Sequence, residues 1–159
     1  MSVRAIWAGN SIQEAEIDMD EKVVIKTKHG ELTLQQLAEA QPGIARQMKE
    51  IGERFHVLYY AAKAGNWKLA QHELNVVISI FRVGGALRPK FNQDFTTFTQ
   101  SHLNPISEKI RAKDWKGFED AYSKGIEEAN KFHEKHGYGF IRYVLPKNPP
   151  EHFDLAAHE

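Results

Sequence analysis

From residue 43 onward the apolar residues of this chain recur every three or four positions, the period of one buried helix face. Ile44, Met48, Ile51, Phe55, Leu58 and Ala62 make a first stripe. Trp67, Ala70, Leu74, Val77 and Phe81 make a second, which starts behind Asn66. Asparagine there suits a helix start, because its side chain accepts from amides that have no partner within the helix. Gly84-Gly85 and Pro89 are expected to end this second helix. Its segment "NVVISIF" is apolar on more than one face, which places it at the centre of a bundle or in a subunit interface. The third stripe is Phe91, Phe95, Phe98, His102, Ile106 and Ile110, with a bend expected near Asn104-Pro105. The fourth is Trp115, Phe118, Tyr122, Gly125, Ala129, Phe132 and His136, capped by Asp114 and closed at Gly137.

Ahead of these stripes the pattern changes. "KVVIKTKHGELTL" holds two β-prone runs around His29-Gly30, a hairpin signature. Thr33-x-x-Gln36 is a capping box, so a short helix is expected over 33–40, interrupted by Pro42. The reading is thus an extension with a β-hairpin over 1–32, a helical region over 33–137 and an extended, proline-containing tail over 138–159. An internal echo supports it. "KAGNWKLAQHEL" (63–74) and "RAKDWKGFEDAY" (111–122) repeat one pattern, basic-Ala-x-Asn/Asp-Trp-Lys, 48 residues apart. Each copy joins two helices through a tight turn, and two such hairpins make a four-helix bundle. A tetratricopeptide array needs a shorter repeat and more copies. The expected fold is all-α: an antiparallel four-helix bundle with a small N-terminal β-hairpin extension.

Composition narrows the chemistry. The 159 residues suffice for one domain, and 42% hydrophobic with 26% charged residues is the balance of a soluble globular protein. Basic and acidic residues number 21 each, so no electrostatic footprint for nucleic acid or an anionic membrane is expected. With no cysteine there is no disulfide, thiolate metal site, covalent haem or cysteine nucleophile. The first residues lack a secretory pattern and no apolar run is long enough to span a bilayer, so a cytoplasmic location is expected.

Three segments carry a resemblance. "KAGNWKLAQHEL" (63–74), "AKDWKGFEDAY" (112–122) and "AxxFHEKHGYGFI" (129–141) follow, in order, the pattern of bacterial four-helix-bundle proteins related to cytochrome c′. That family pairs an "AGNWxLAxxEL" helix start with a closing "CxxCHxxxGxGFI" segment. The resemblance covers about residues 43–146 and leaves the hairpin region outside it. In the family two thiols attach haem and the histidine ligates its iron. Here Ala129 and Phe132 stand where the thiols would be, while His133 is in place. The resemblance implies a relative that kept the bundle and abandoned covalent haem, and it implies a homodimer.

Candidate functional residues follow from these placements. His133 and His136 point toward the bundle beside Gly125 and Ala129, where small residues leave room for a flat ligand. His133, His136, His102, Ala129 and Phe132 are therefore candidate contacts for non-covalent haem or a small apolar or aromatic molecule. The plainer alternative is a pair of structural histidines at a helix C-terminus, favoured there by the helix dipole. Glu53-x-x-His56 has di-iron spacing but occurs once; with His133-x-x-His136 and Glu73 it would give a mononuclear site at best, and no metal site is expected. His56, Tyr60, Glu73 and His133 form a second candidate set, for acid/base catalysis without a cofactor (elimination, isomerisation or hydration). Arg82, Arg88 and Lys90 flank the "GGALRP" turn and are read as solvated charges. "LTLQQLAEAQPGIARQM" faintly matches a helix-turn-helix but lacks a basic recognition helix. Three function classes stay open: a ligand-binding module, a small enzyme and a protein-association scaffold.

Overall fold

Thr33 ends a strand, and its side chain caps the helix that follows. The computed structural model describes residues 24–158, and the chain divides after Gln41 into two units. In the first, β1 (Val24–Thr27) pairs antiparallel with β2 (Gly30–Thr33), Val24 opposite Thr33 and Thr27 opposite Gly30. Gly30 has φ 127°, a conformation the hairpin turn reserves for glycine. Helix α1 (Leu34–Glu39) starts on the expected capping box: the Gln36 N–H donates to Thr33 Oγ1 (3.1 Å) and the Thr33 N–H to Gln36 Oε1 (2.9 Å).

The second unit is the four-helix bundle. It comprises α2 (Ile44–Lys63), α3 (Trp67–Leu87), a third helix made of α4 (Pro89–Phe98) and α5 (Asn104–Ala112) joined by a π-helical turn, and α6 (Trp115–Lys135). Helix α3 packs against α2, α4 and α5 with Leu74, Val77 and Phe81 buried, while Val76, Ile78 and Ile80 are half-buried and Val83 is exposed. Helix α6 packs against α5 and α2, which closes the bundle.

The two echoed segments make the same turn. Gly65 (φ 78°) and Lys113 (φ 52°) both adopt the left-handed conformation. The amide of each donates three residues back, to Ala62 and Ile110. The next amide, of Asn66 or Asp114, donates five back, to Ala61 or Lys109. Asn66 Oδ1 then accepts from the Leu69 N–H at 3.0 Å, and Asp114 Oδ1 from the Gly117 N–H at 2.9 Å. Each turn delivers a tryptophan as the first residue of the new helix. The indoles of Trp67 and Trp115 both pack on Phe118, with ring centroids 6.3 and 5.7 Å away, and Trp115 also meets Tyr59 edge-on. Tyr122, fully buried, continues the cluster and donates its hydroxyl to the Phe55 carbonyl at 2.8 Å. Burial holds the Tyr122 phenol well above its ordinary pKa, so it remains a donor. Burial and a bond to Glu119 push Tyr59 up to about 12.

Two expectations are corrected. Gly84-Gly85 does not end the second helix, which runs on to Leu87. Both glycines are buried, and their missing side chains make room for neighbours. A Cβ on Gly85 would lie 2.6 Å from Asn92 Oδ1, and one on Gly84 3.0 Å from Gln47 Oε1 and 3.1 Å from Phe95. The pair permits close approach of α2 and α4, and Pro89 begins the next helix. The third stripe also shifts. A π-helical turn over Thr99–Leu103 precedes Pro105 and inserts one residue, so Leu103 enters the core in place of His102.

Helix α6 closes in a Schellman motif. Gly137 (φ 80°) donates to the Glu134 carbonyl at 3.1 Å, and the Tyr138 N–H to the His133 carbonyl at 2.7 Å. Residues beyond Gly137 then run without helix or strand along the bundle.

Phe118→Ala removes the ring on which both turns converge and should cost about 3–5 kcal/mol, read as a lowered urea midpoint. Lys113→Gly should act in the opposite direction by about 0.5–1 kcal/mol, because the left-handed backbone there penalises a side chain. Equal or lower stability of the glycine variant would show that Lys113 is not strained.

A phenylalanine-walled cavity and the tail that closes it

The bundle is filled at the end that holds its tryptophan turns and hollow at the other. There Ala45, Gly52, Gly125 and Ala129 offer little side chain, and the surrounding phenylalanines do not fill the space. A cavity of about 460 Å³ results, walled by Phe55, Phe81, Phe91, Phe95, Phe98 and Phe132 with Ile44, Met48, Ile51 and Ile126. The rings lock one another: Phe81 stacks on Phe98 at 5.3 Å, and Phe98 meets Phe132 edge-on at 5.9 Å. One wall is the tail, through Ile141, Arg142 and Tyr143. A Cβ on Gly52 would come within 3.3 Å of the Tyr143 ring, so glycine there sets how closely the tail lies. Tyr143 donates its hydroxyl to the Gly52 carbonyl (3.0 Å), and burial raises its pKa.

His133, Ala129, Phe132 and His136 all line this cavity, as their spacing predicts. His133 hydrogen-bonds through Nδ1 to the Ile141 carbonyl at 2.9 Å. A carbonyl only accepts, so Nδ1 carries the proton, and Nε2 has no hydrogen-bond partner among the described residues. A backbone bond to one ring nitrogen is the usual way a histidine is oriented to ligate or accept through the other. His136 is committed elsewhere: its Nε2 lies 2.6 Å from Asp94 Oδ2, and its ring stands edge-on to Phe91 at 4.9 Å. Lys135 Nζ donates to the other Asp94 oxygen at 2.6 Å. His102 belongs to the π-helical turn, packs on Phe98 at 5.1 Å and is not part of the cavity wall. The one-residue insertion that brings Leu103 inward moves His102 aside. It therefore does not join His133 and His136.

The acid/base set is dispersed among structural bonds. His56 Nε2 donates to the Asn148 carbonyl at 2.7 Å, and Tyr60 donates its hydroxyl to the Pro146 carbonyl at 2.9 Å. Glu73, 4% exposed, takes a 2.9 Å bond from Arg54, which also holds Glu50. These three side chains border a different, charge-lined hollow or the tail, and none lines the phenylalanine cavity. The structure thus separates His133 from His56, Tyr60 and Glu73. Of the residues flanking the "GGALRP" turn, Arg88 donates to the Pro42 and Leu87 carbonyls, and Lys90 lies over the Phe91 ring at 4.7 Å. Among the described residues no group of three or more His, Asp or Glu side chains gathers as metal ligands, and no helix is long and apolar enough to cross a membrane.

Sequence reasoning missed Asn130, which bonds Tyr143 of the cavity wall, Asp94 in that wall, and Arg54 beside Glu73 at the charge-lined hollow. Asn130, buried, pairs with Tyr143 as one strand pairs with another: Nδ2 donates to the Tyr143 carbonyl (3.0 Å) and Oδ1 accepts its N–H (2.8 Å). Its signal was a polar residue beside the apolar stripe of α6. Asp94 and Arg54 complete the set, each legible only once its partner from another helix is known. Asn66 adds a further tie, its Nδ2 donating to the Ala156 carbonyl at 2.8 Å.

Comparison with protein-family models, with curated proteins and with solved structures returned no match.

The bond from Lys135 lowers the Asp94 pKa below its ordinary 3.8, burial opposes this, and His136 adds to the lowering. A carboxylate depressed in the folded state stabilises the fold above its unfolded pKa, and that contribution vanishes as pH falls through the folded pKa. Asp94→Asn should therefore be less stable than the parent at about pH 6, with the gap narrower at about pH 3. Urea unfolding at both values checks this; a gap of constant size would rule out the ionised carboxylate as its source.

Proposed function

We propose that this chain is a cytochrome-c′-like bundle that binds one small apolar or aromatic molecule in the phenylalanine-walled cavity, with His133 as the polar contact. The observation that carries the reading is the cavity itself. Its volume, about 460 Å³, falls within the range of about 300–1,000 Å³ usual for small-molecule sites. Six phenylalanine rings and four small residues make it both apolar and roomy, while the walls described come from one chain, so the reading does not require a second copy. The same residues that resemble a haem-attachment segment supply one of its faces.

Non-covalent haem is the second reading, and the orientation of His133 favours it. With Nδ1 bonded to the Ile141 carbonyl, the lone pair lies on Nε2, the arrangement a haem-ligating histidine needs. His133 would hold the iron and Phe98, Ala129 and Phe132 would flank the macrocycle. The group, when bound, would supply redox or gas-ligand chemistry; the residues themselves supply an apolar enclosure and one nitrogen ligand.

The enzyme reading is weaker on geometry, because His56, Tyr60 and Glu73 are occupied by the tail or by Arg54. It would rest on His133 alone as a proton acceptor toward the bound molecule.

Isothermal titration with decanol and with 1-naphthol should show saturable binding at one molecule per chain. Ala129→Phe, which fills the cavity, should abolish it while leaving the unfolding transition in place. At a ligand concentration 100-fold above Kd, the parent should gain about 2.7 kcal/mol. Titration with haemin should produce a Soret shift that His133→Ala removes. No binding by the parent, or equal binding by the filled variant, defeats the cavity reading; a Soret shift that survives in His133→Ala defeats the iron-ligand assignment alone.

A further inference from the structure

The charges around the cavity are uneven. Among the described residues of its wall Asp94 is the single carboxylate, and it is already bonded on both oxygens, to Lys135 and His136. Against it stand two full cations, Lys49 from α2 and Arg142 from the tail. Each has only an exposed acidic neighbour. Lys49 Nζ lies 3.8 Å from Glu53, and Arg142 Nη1 lies 3.1 Å from Glu134. Such exposed pairs are weak and exchange readily for a better partner. Both side chains are largely open to water, at 79% and 65% exposure, so they belong to the mouth of the cavity and not to its floor. The floor is aromatic and carries no free charge.

An apolar interior beneath a positively charged mouth is the arrangement that sorts amphipathic molecules by headgroup. We infer that the ligand is an amphipathic carboxylic acid, its alkyl or aromatic body among the phenylalanines and its carboxylate at Lys49 and Arg142. This rests on the cavity reading above and adds the headgroup. A planar guanidinium suits a carboxylate in particular, since it offers two parallel donors, and Arg142 spends only Nη1 on Glu134. Arg142 also sits beside Ile141, whose carbonyl takes the His133 proton, and before Tyr143, which Asn130 clamps. The tail bonds thus fix one of the two headgroup contacts at the mouth.

The test compares three probes of one chain length, decanoate, decanol and decylamine, by isothermal titration at low and at high salt. Decanoate should bind about three- to tenfold more tightly than decanol at low salt, and decylamine more weakly than either. High salt should erase most of that spread, since the contacts are exposed. Lys49→Gln with Arg142→Gln should bring decanoate down to the affinity that decanol shows in the same variant. Lys49→Glu should favour decylamine. Equal affinities for all three probes in the parent would overturn the headgroup assignment and leave the cavity reading standing. Binding of none of them would remove both.

Discussion

Phe118 is sealed from water, and two tryptophans from two different turns rest on it. That convergence constrains the whole bundle. Each indole is the first residue of its helix, placed by a left-handed residue and an Asn or Asp cap immediately before it. The turns therefore cannot move along their helices without withdrawing the rings from Phe118. Tyr59 and Tyr122 pack into the same cluster, and the Tyr122 hydroxyl fixes α6 against the Phe55 carbonyl of α2. With one end so determined, the helices are held at spacings that the small residues of the other end do not fill.

The hollow is thus a product of composition and not of disorder in the packing. Aromatic rings need partners on both faces, and near Gly52, Gly125 and Ala129 there are too few side chains to supply them. The tail closes one side by an unusual economy. Asn66, His56, Tyr60, Asn130 and His133 each donate to a backbone carbonyl between Ile141 and Ala156, so a segment with no secondary structure is held from five points. Five of its carbonyls and the Tyr143 N–H are thereby paired with side chains of the helices it crosses.

Much of this was legible in the chain. The apolar period of the four stripes marks the helices, and the echoed tryptophan segments mark two of the turns. The residues lining the hollow at Ala129, Phe132, His133 and His136 follow from helical spacing alone. What was not legible has definite physical causes. A π-helical turn differs from an α-helix by one residue, and nothing in "TQSHLNP" distinguishes the two, so His102 was assigned the place of Leu103. Gly84-Gly85 reads as a terminator because glycine ends helices, but glycine also lets helices touch, and only the facing Asn92 and Gln47 decide between these. The roles of His56 and Tyr60 were hidden for another reason. Their partners are main-chain oxygens of the tail, which every residue type possesses.

The uneven filling of the bundle divides its chromophores. Trp67 and Trp115 lie in the closed cluster around Phe118, whereas neither lines the hollow, where the absorbing groups are phenylalanine, Tyr138 and Tyr143. Indole emission from these two residues therefore reports whether the closed end is intact and is nearly blind to a colourless guest. The near-ultraviolet signals of Tyr138 and Tyr143 and the fine structure of the phenylalanines that wall the hollow carry the complementary information. One molecule thus contains two optical gauges, one for its fold and one for what it holds.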